Sequence, residues 1–154
     1  MNPATAMQTW WNRLHRLPGG KLMFSAIIGR MAPYTGTVGA RIEELAPGYS
    51  RWTLRDRRKV RNHLHSIHAV ALVNFAEVTT GTAMMMALPN DVRGIVRALS
   101  IEYVKKARGT LVAECRCTVP RVTQNTSFDV HTDLRDAAGD VVAHATVSWL
   151  LSPR

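Results

Sequence analysis

From Ile67 to Leu88 the chain runs through an apolar stretch in which Glu77, at the midpoint, is the one residue drawn from Asp, Glu, Lys and Arg. A stretch of this length either crosses a bilayer or fills the core of a soluble domain. Facing lipid, a central carboxylate would cost several kcal/mol. Asn74, Thr79, Thr80, Gly81 and Thr82 also interrupt the apolar surface. A buried helix over 67–88, apolar nearly all round and therefore covered nearly all round, is the expectation. Ser66 is the candidate N-cap, and Pro89-Asn90-Asp91 closes the helix.

Past the helix the apolar period falls from about four to two, the signature of strands with one covered face. Ile95, Leu99, Ile101 and Tyr103 alternate with Val96, Ala98, Ser100 and Glu102. Leu111, Ala113, Cys115 and Cys117 follow the same rule, then Phe128, Val130, Thr132 and Leu134, then Val141 to Leu151. Arg108-Gly109, Pro120 to Asn125 and Asp136 to Asp140 supply turn chemistry between them. Upstream, Val38 to Leu45 and Tyr49 to Leu54 flank Ala46-Pro47-Gly48, a hairpin signal. Arg55 to His65 reads as a basic loop. Met1 to Met31 reads as two helices broken at Leu17-Pro18-Gly19-Gly20, and Pro33 to Thr37 is a breaker. The economical packing is α+β, an antiparallel sheet wrapped around the central helix. The chain divides into an N-terminal helical extension, 1–35, and the sheet-and-helix domain, 36–154.

With 154 residues, 46% apolar and 20% charged, the chain is globular and long enough for one core. Such a domain buries about 70% of its unfolded surface and needs neither disulfides nor metals to hold together. Cys115 and Cys117 would share one strand face about 6.5–7 Å apart, at the far limit for a disulfide. Reduced thiols, and with them a cytoplasmic setting, are expected. Leu22 to Gly29 is apolar but ends at Arg30 without a cleavage signal, which argues against a signal peptide. Trp10, Trp11, Leu14 and Leu17 at helical spacing either pack onto the domain or form a peripheral membrane contact; no integral span is expected. The net charge of +9 favours anionic partners.

Glu77 is the leading candidate for chemistry, because a carboxylate in an apolar setting has a raised pKa unless it is paired. Its alternatives are a Glu that reaches solvent at a helix edge, or one that pairs with an Arg across a subunit contact. Asn62, His63, His65 and His68 crowd the approach to the helix. With no second cluster at ligand spacing, no metal site is assigned to them. His68 and Ala69 fall instead at the helix N-terminus, where unpaired N–H groups and the dipole favour a developing oxyanion.

These residues carry a resemblance. Asn62, five intervening residues, His68, and Glu77 nine positions beyond the His resemble the motif of the hotdog-fold acyl-CoA thioesterases of the phenylacetic-acid type. The segment Thr79 to Ala83 and the stretch SIEYVKKARG, Ser100 to Gly109, extend the likeness, which covers about Val38 to Leu151. The family's His-Gly-Gly is His68-Ala69-Val70 here, which marks a divergent branch. The resemblance implies that residues 36–154 form a hotdog domain that hydrolyses acyl-CoA thioesters, with coenzyme A entering only as part of the substrate and no further cofactor. It implies that the Ala69 N–H polarises the carbonyl and that Glu77 acts as general base or nucleophile. Asn62 and His68 would position substrate or water. It further implies a homodimer with a continuous sheet, which can pair into a tetramer, and a site shared between subunits.

Lys105, Lys106 and Arg108, in the turn after a strand, are candidates for the coenzyme A phosphates. The Arg51 to Arg61 run lacks the aromatic interleaving of a single-strand binder, so nucleic acid is not the expected partner. The alternative within the same fold is a non-catalytic module that holds an acyl ligand, motivated by Ala69 and Val70.

Overall fold

The computed structural model describes residues 3–154. Two helices, α1 (Pro3–Leu14) and α2 (Gly20–Met31), are followed by a single turn, α3 (Pro33–Gly36). The hairpin comes next as β1 (Arg41–Ala46) and β2 (Tyr49–Leu54), then one 3-10 turn within the basic loop, then the long helix α4 (Ala69–Ala87). Four strands complete the chain: β3 (Val92–Tyr103), β4 (Leu111–Arg116), β5 (Thr126–Arg135) and β6 (Val141–Pro153). They form one antiparallel six-stranded sheet in the order β1-β2-β4-β5-β6-β3. The sheet curves around α4, which touches all six strands. This is the hotdog architecture expected from the sequence.

Helix α4 solves the problem of burying its threonines internally. Thr79, Thr80 and Thr82 donate their hydroxyls to the carbonyls of Phe75, Ala76 and Val78, one turn back. Thr82 also accepts the indole N–H of buried Trp52 at 3.0 Å. No buried hydroxyl on this helix is left without a partner, so the polar content costs little. At the hairpin turn, Gly48 adopts φ 73° and sends its N–H to the Ala83 carbonyl. A Cβ there would stand 2.2 Å from the Cys117 carbonyl oxygen, so only glycine fits.

The helix differs from its expected form at the start. His68, not Ser66, is the N-cap: its backbone is extended and its ring accepts the Val70 N–H. Ser66 is diverted to Asn62, whose side-chain oxygen accepts its N–H and its hydroxyl.

The N-terminal helices share the sheet's core. Met7, Trp11, Leu14, Phe24 and Ile28 pack in one cluster with Trp52, Phe75 and Leu111, and Gln8 donates to the Met86 carbonyl at the end of α4. Trp11 is buried against Phe24, while Trp10 stays 39% exposed near Leu17, Leu22, Met23 and Met31 on the outer surface of these helices. Strand β3 is the second departure. Beyond Val92 nearly all of it is exposed, including Ile95, Leu99 and Tyr103, because it is the sheet's edge strand and α4 lies against only its first residues.

Cys115 is buried and Cys117 half-buried on β4, both as free thiols. Burial and a hydrogen bond from one to the other raise the Cys115 pKa and lower that of Cys117.

Candidate functional site

The candidate residues fall into two groups at different points along α4. The first surrounds its N-terminus. Asn62 closes a tight loop: its N–H donates to the Ser66 carbonyl at 2.8 Å, and its Oδ1 accepts the N–H groups of Leu64 and Ser66 and the Ser66 hydroxyl. His65 takes a left-handed conformation, φ 56°, to complete the turn. The backbone of Ile67 is pinned to Ala107 and that of His68 to Val60, both at 2.8 Å. The loop therefore delivers Ala69 to the first helical position with its orientation fixed from both sides. Among the described residues, no acceptor meets the Ala69 N–H. The Tyr103 hydroxyl donates to the Ala69 carbonyl at 3.0 Å, and burial raises the Tyr103 pKa.

A cavity of about 390 Å³ opens here, with Asn62, Ala69, Tyr103, Lys105 and Lys106 in its wall. His68 turns to the other side of the helix start, where a separate cavity of about 400 Å³ is lined by Tyr34, Lys59 and Arg61. Its Nδ1 is occupied by the Val70 N–H at 3.1 Å. Lys105 is committed to two carboxylates, Asp136 at 2.6 Å and Asp140 at 2.7 Å, which hold its ammonium above its ordinary pKa. Arg108 donates to the Leu64 carbonyl at 3.4 Å. Among the described residues, no three His, Cys, Asp or Glu side chains gather to hold a metal ion.

The second group surrounds Glu77, in a cavity of about 280 Å³. Its walls come from every layer of the fold: Met7 of α1, Ile28 and Met31 of α2, Thr35 of α3, Gly81, Thr82 and Met85 of α4, and Trp149 of β6. Apart from Glu77 and two threonines the lining is apolar. Burial alone raises the Glu77 pKa. Among the described residues, no side chain donates to its carboxylate, so nothing offsets the loss of water. One turn further on, Gly81 leaves a gap: a Cβ there would stand 3.6 Å from Glu77 Oε1 and 3.4 Å from Trp149 Cζ2. The Trp149 indole N–H and the Asn74 amide oxygen are the two buried side-chain polar atoms left without a partner.

The sequence did not single out Trp149, Gly81 or Tyr103. A glycine four residues after Glu77, on the same helical face, was the available signal. Trp149 announced itself only as an inward position of a strand.

The residue 20–151 segment matches the sequence profile of a family described as a domain of unknown function, DUF4442. No functionally curated protein matches the chain. A structural-genomics crystal structure, APC5556, superposes with TM-score 0.83 at 30% identity, over 97% of this chain and 99% of that one. PA5026 from Pseudomonas aeruginosa, a protein of unknown function and probable thioesterase, superposes with TM-score 0.77 at 22% identity, over 90% and 97% of the two chains. The smu.793 protein of Streptococcus mutans, solved bound to acetyl CoA, gives TM-score 0.63 at 18% identity, over 73% and 88%. Fold and comparisons together define a hotdog domain of the thioesterase-like kind. Within it, the chain belongs to the DUF4442 family.

Proposed function

We propose that the protein hydrolyses acyl thioesters of coenzyme A, with Glu77 as general base and the Ala69 N–H as oxyanion donor. The observation that carries this reading is the unpaired Glu77 carboxylate in an apolar chamber. Such a group is poised to take a proton near neutral pH, where an ordinary glutamate is too weak a base. The chamber, at the lower end of the roughly 300–1,000 Å³ of small-molecule sites, suits a short to medium acyl chain.

In this reading Glu77 accepts a proton from water as the water oxygen bonds to the thioester carbonyl carbon. The carbonyl oxygen gains the charge and is held by the Ala69 N–H at the positive end of α4. Collapse breaks the carbon–sulfur bond and releases the acid and coenzyme A. Lys106 and Arg108, close to the Ala69 cavity, would meet the phosphates, with Lys105 held back by its two carboxylates. A single α4 keeps Glu77 far from its own Ala69, so the working site takes its base from one subunit and its oxyanion donor from a second. The exposed β3 edge, with its unpaired backbone and its apolar Ile95 and Leu99, suits pairing with a second copy. The reduced thiols suit a cytoplasmic setting.

Release of free coenzyme A from a panel of acyl-CoAs, measured for wild type and Glu77→Gln, tests the proposal. Turnover by wild type that Glu77→Gln abolishes supports it; equal turnover overturns it. The second reading, an acyl-CoA-binding module without catalysis, draws on Ala69 and Val70, whose side chains narrow the approach that glycines would leave open. Binding without hydrolysis would favour it.

A further inference from the structure

We propose that Trp149 is a positioning residue: its indole N–H and the Glu77 carboxylate jointly hold one water molecule over Gly81, and that water is the nucleophile. The inference rests on the thioesterase reading above and adds a residue that neither the motif nor the comparisons assign.

Three observations converge on it. Trp149 is 5% exposed, yet its Nε1 has no hydrogen-bond partner. A buried N–H left empty costs about 1–3 kcal/mol, and native proteins retain few of them. The fold had another way to treat a buried tryptophan: Trp52 is equally enclosed and donates to Thr82. Glu77 is the complementary case, a partly buried carboxylate without a donor. Between the two lies Gly81, whose absent side chain leaves room above its Cα bordered by Glu77 Oε1 on one side and the Trp149 ring edge on the other. Donor, acceptor and space therefore share one wall of the same chamber.

A water placed there has its four positions defined. It accepts the Trp149 N–H with one lone pair and donates one O–H to Glu77. Its second lone pair is left for the acyl carbon. The proton that Glu77 removes is the one already directed at it, so no reorientation precedes attack. The remaining O–H stays on the product acid.

Trp149→Phe deletes the N–H and keeps a ring in the wall. The expected result is a fall in kcat of about 10–100-fold with KM for the acyl-CoA unchanged, since the contact is to water and not to substrate. Gly81→Ala, whose methyl meets its neighbours at ordinary contact distance, should give the same split by crowding the water. A crystal structure of the wild-type protein supplies the second readout: one water within hydrogen-bond distance of both Trp149 Nε1 and Glu77. An unchanged kcat in Trp149→Phe, or a Trp149 N–H with no water against it, overturns the proposal. Wild type that fails to hydrolyse any acyl-CoA defeats the thioesterase reading and with it the water's role as nucleophile. In that event the crystal structure still separates a structural water, shared by Trp149 and Glu77, from none.

Discussion

His68 and Glu77 sit nine residues apart on one unbroken helix, which sets them about 13.5 Å apart along its axis. They open into different cavities. A carbonyl cannot lie within reach of both ends of that span, so one chain holds two half-sites. Mixed dimers provide the test. Glu77→Gln and Ala69→Pro are each expected to be inactive alone. Mixed and reassociated, they should recover about a quarter of wild-type activity, because half the dimers are mixed and each of these carries one intact pair of half-sites. Activity of the mixture no greater than that of the two parents would refute the shared site.

Ala69→Pro is itself an unusually clean probe. Proline is favoured at the first helical position, where its missing N–H breaks no helical bond. The preceding His68, at φ −62° and ψ 140°, already has the conformation a following proline demands. The substitution should leave the melting temperature within about 2 °C and lower kcat by about 10²–10³-fold, the usual loss for one oxyanion donor. Thermal melting and steady-state kinetics on the same preparation measure both.

The raised Glu77 pKa has a sign that stability must follow. Burial makes the folded state hold this proton at pH values where the unfolded chain has released it. Stability from this group is therefore fully present below the ordinary glutamate pKa and falls as pH rises through the raised value. Glu77→Gln removes the dependence. It should melt about 2–4 °C higher than wild type at pH 8, the response of a domain this size to about 1 kcal/mol, and equal to it at pH 4. The opposite trend, measured by melting across that range, would mean that the carboxylate has a stabilising partner. The same titration sets the acid limb of kcat, which should lie above the ordinary glutamate value.

Leu99, 46% exposed on the edge strand, tests the assembly. Leu99→Arg keeps the strand's backbone pairing with β6 but places a charge on the face proposed to meet a second copy. Light scattering should show loss of the dimer, and activity should fall in step. A monomer that retained full turnover would separate assembly from catalysis.

Much of this fold could be read locally. The apolar run of α4, the period of two after it and the Ala46-Pro47-Gly48 turn each report on neighbours within a few residues, and each formed where expected. The N-cap was misplaced because Ser66 and His68 are equally plausible by type, and the choice is made by Asn62, which captures the serine. Strand β3 read as half-covered because alternation looks the same whichever chain provides the cover. Of the site, Asn62, His68, Ala69 and Glu77 were legible through their spacing, whereas the chamber around Glu77 was not. Its wall joins positions 7, 28, 31, 81 and 149, and no local pattern links them.

That long-range construction bears on how the protein acquires activity. Met7 and Trp149 line the same small space although almost the whole chain separates them. Closing so large a loop is entropically among the costliest steps of folding, so contacts of this kind form late. The helix and the hairpin can take shape while Glu77 is still bathed in solvent, an ordinary acid. Its altered proton affinity arises with the final docking of α1 and α2, so basicity at this residue is a reporter of complete folding.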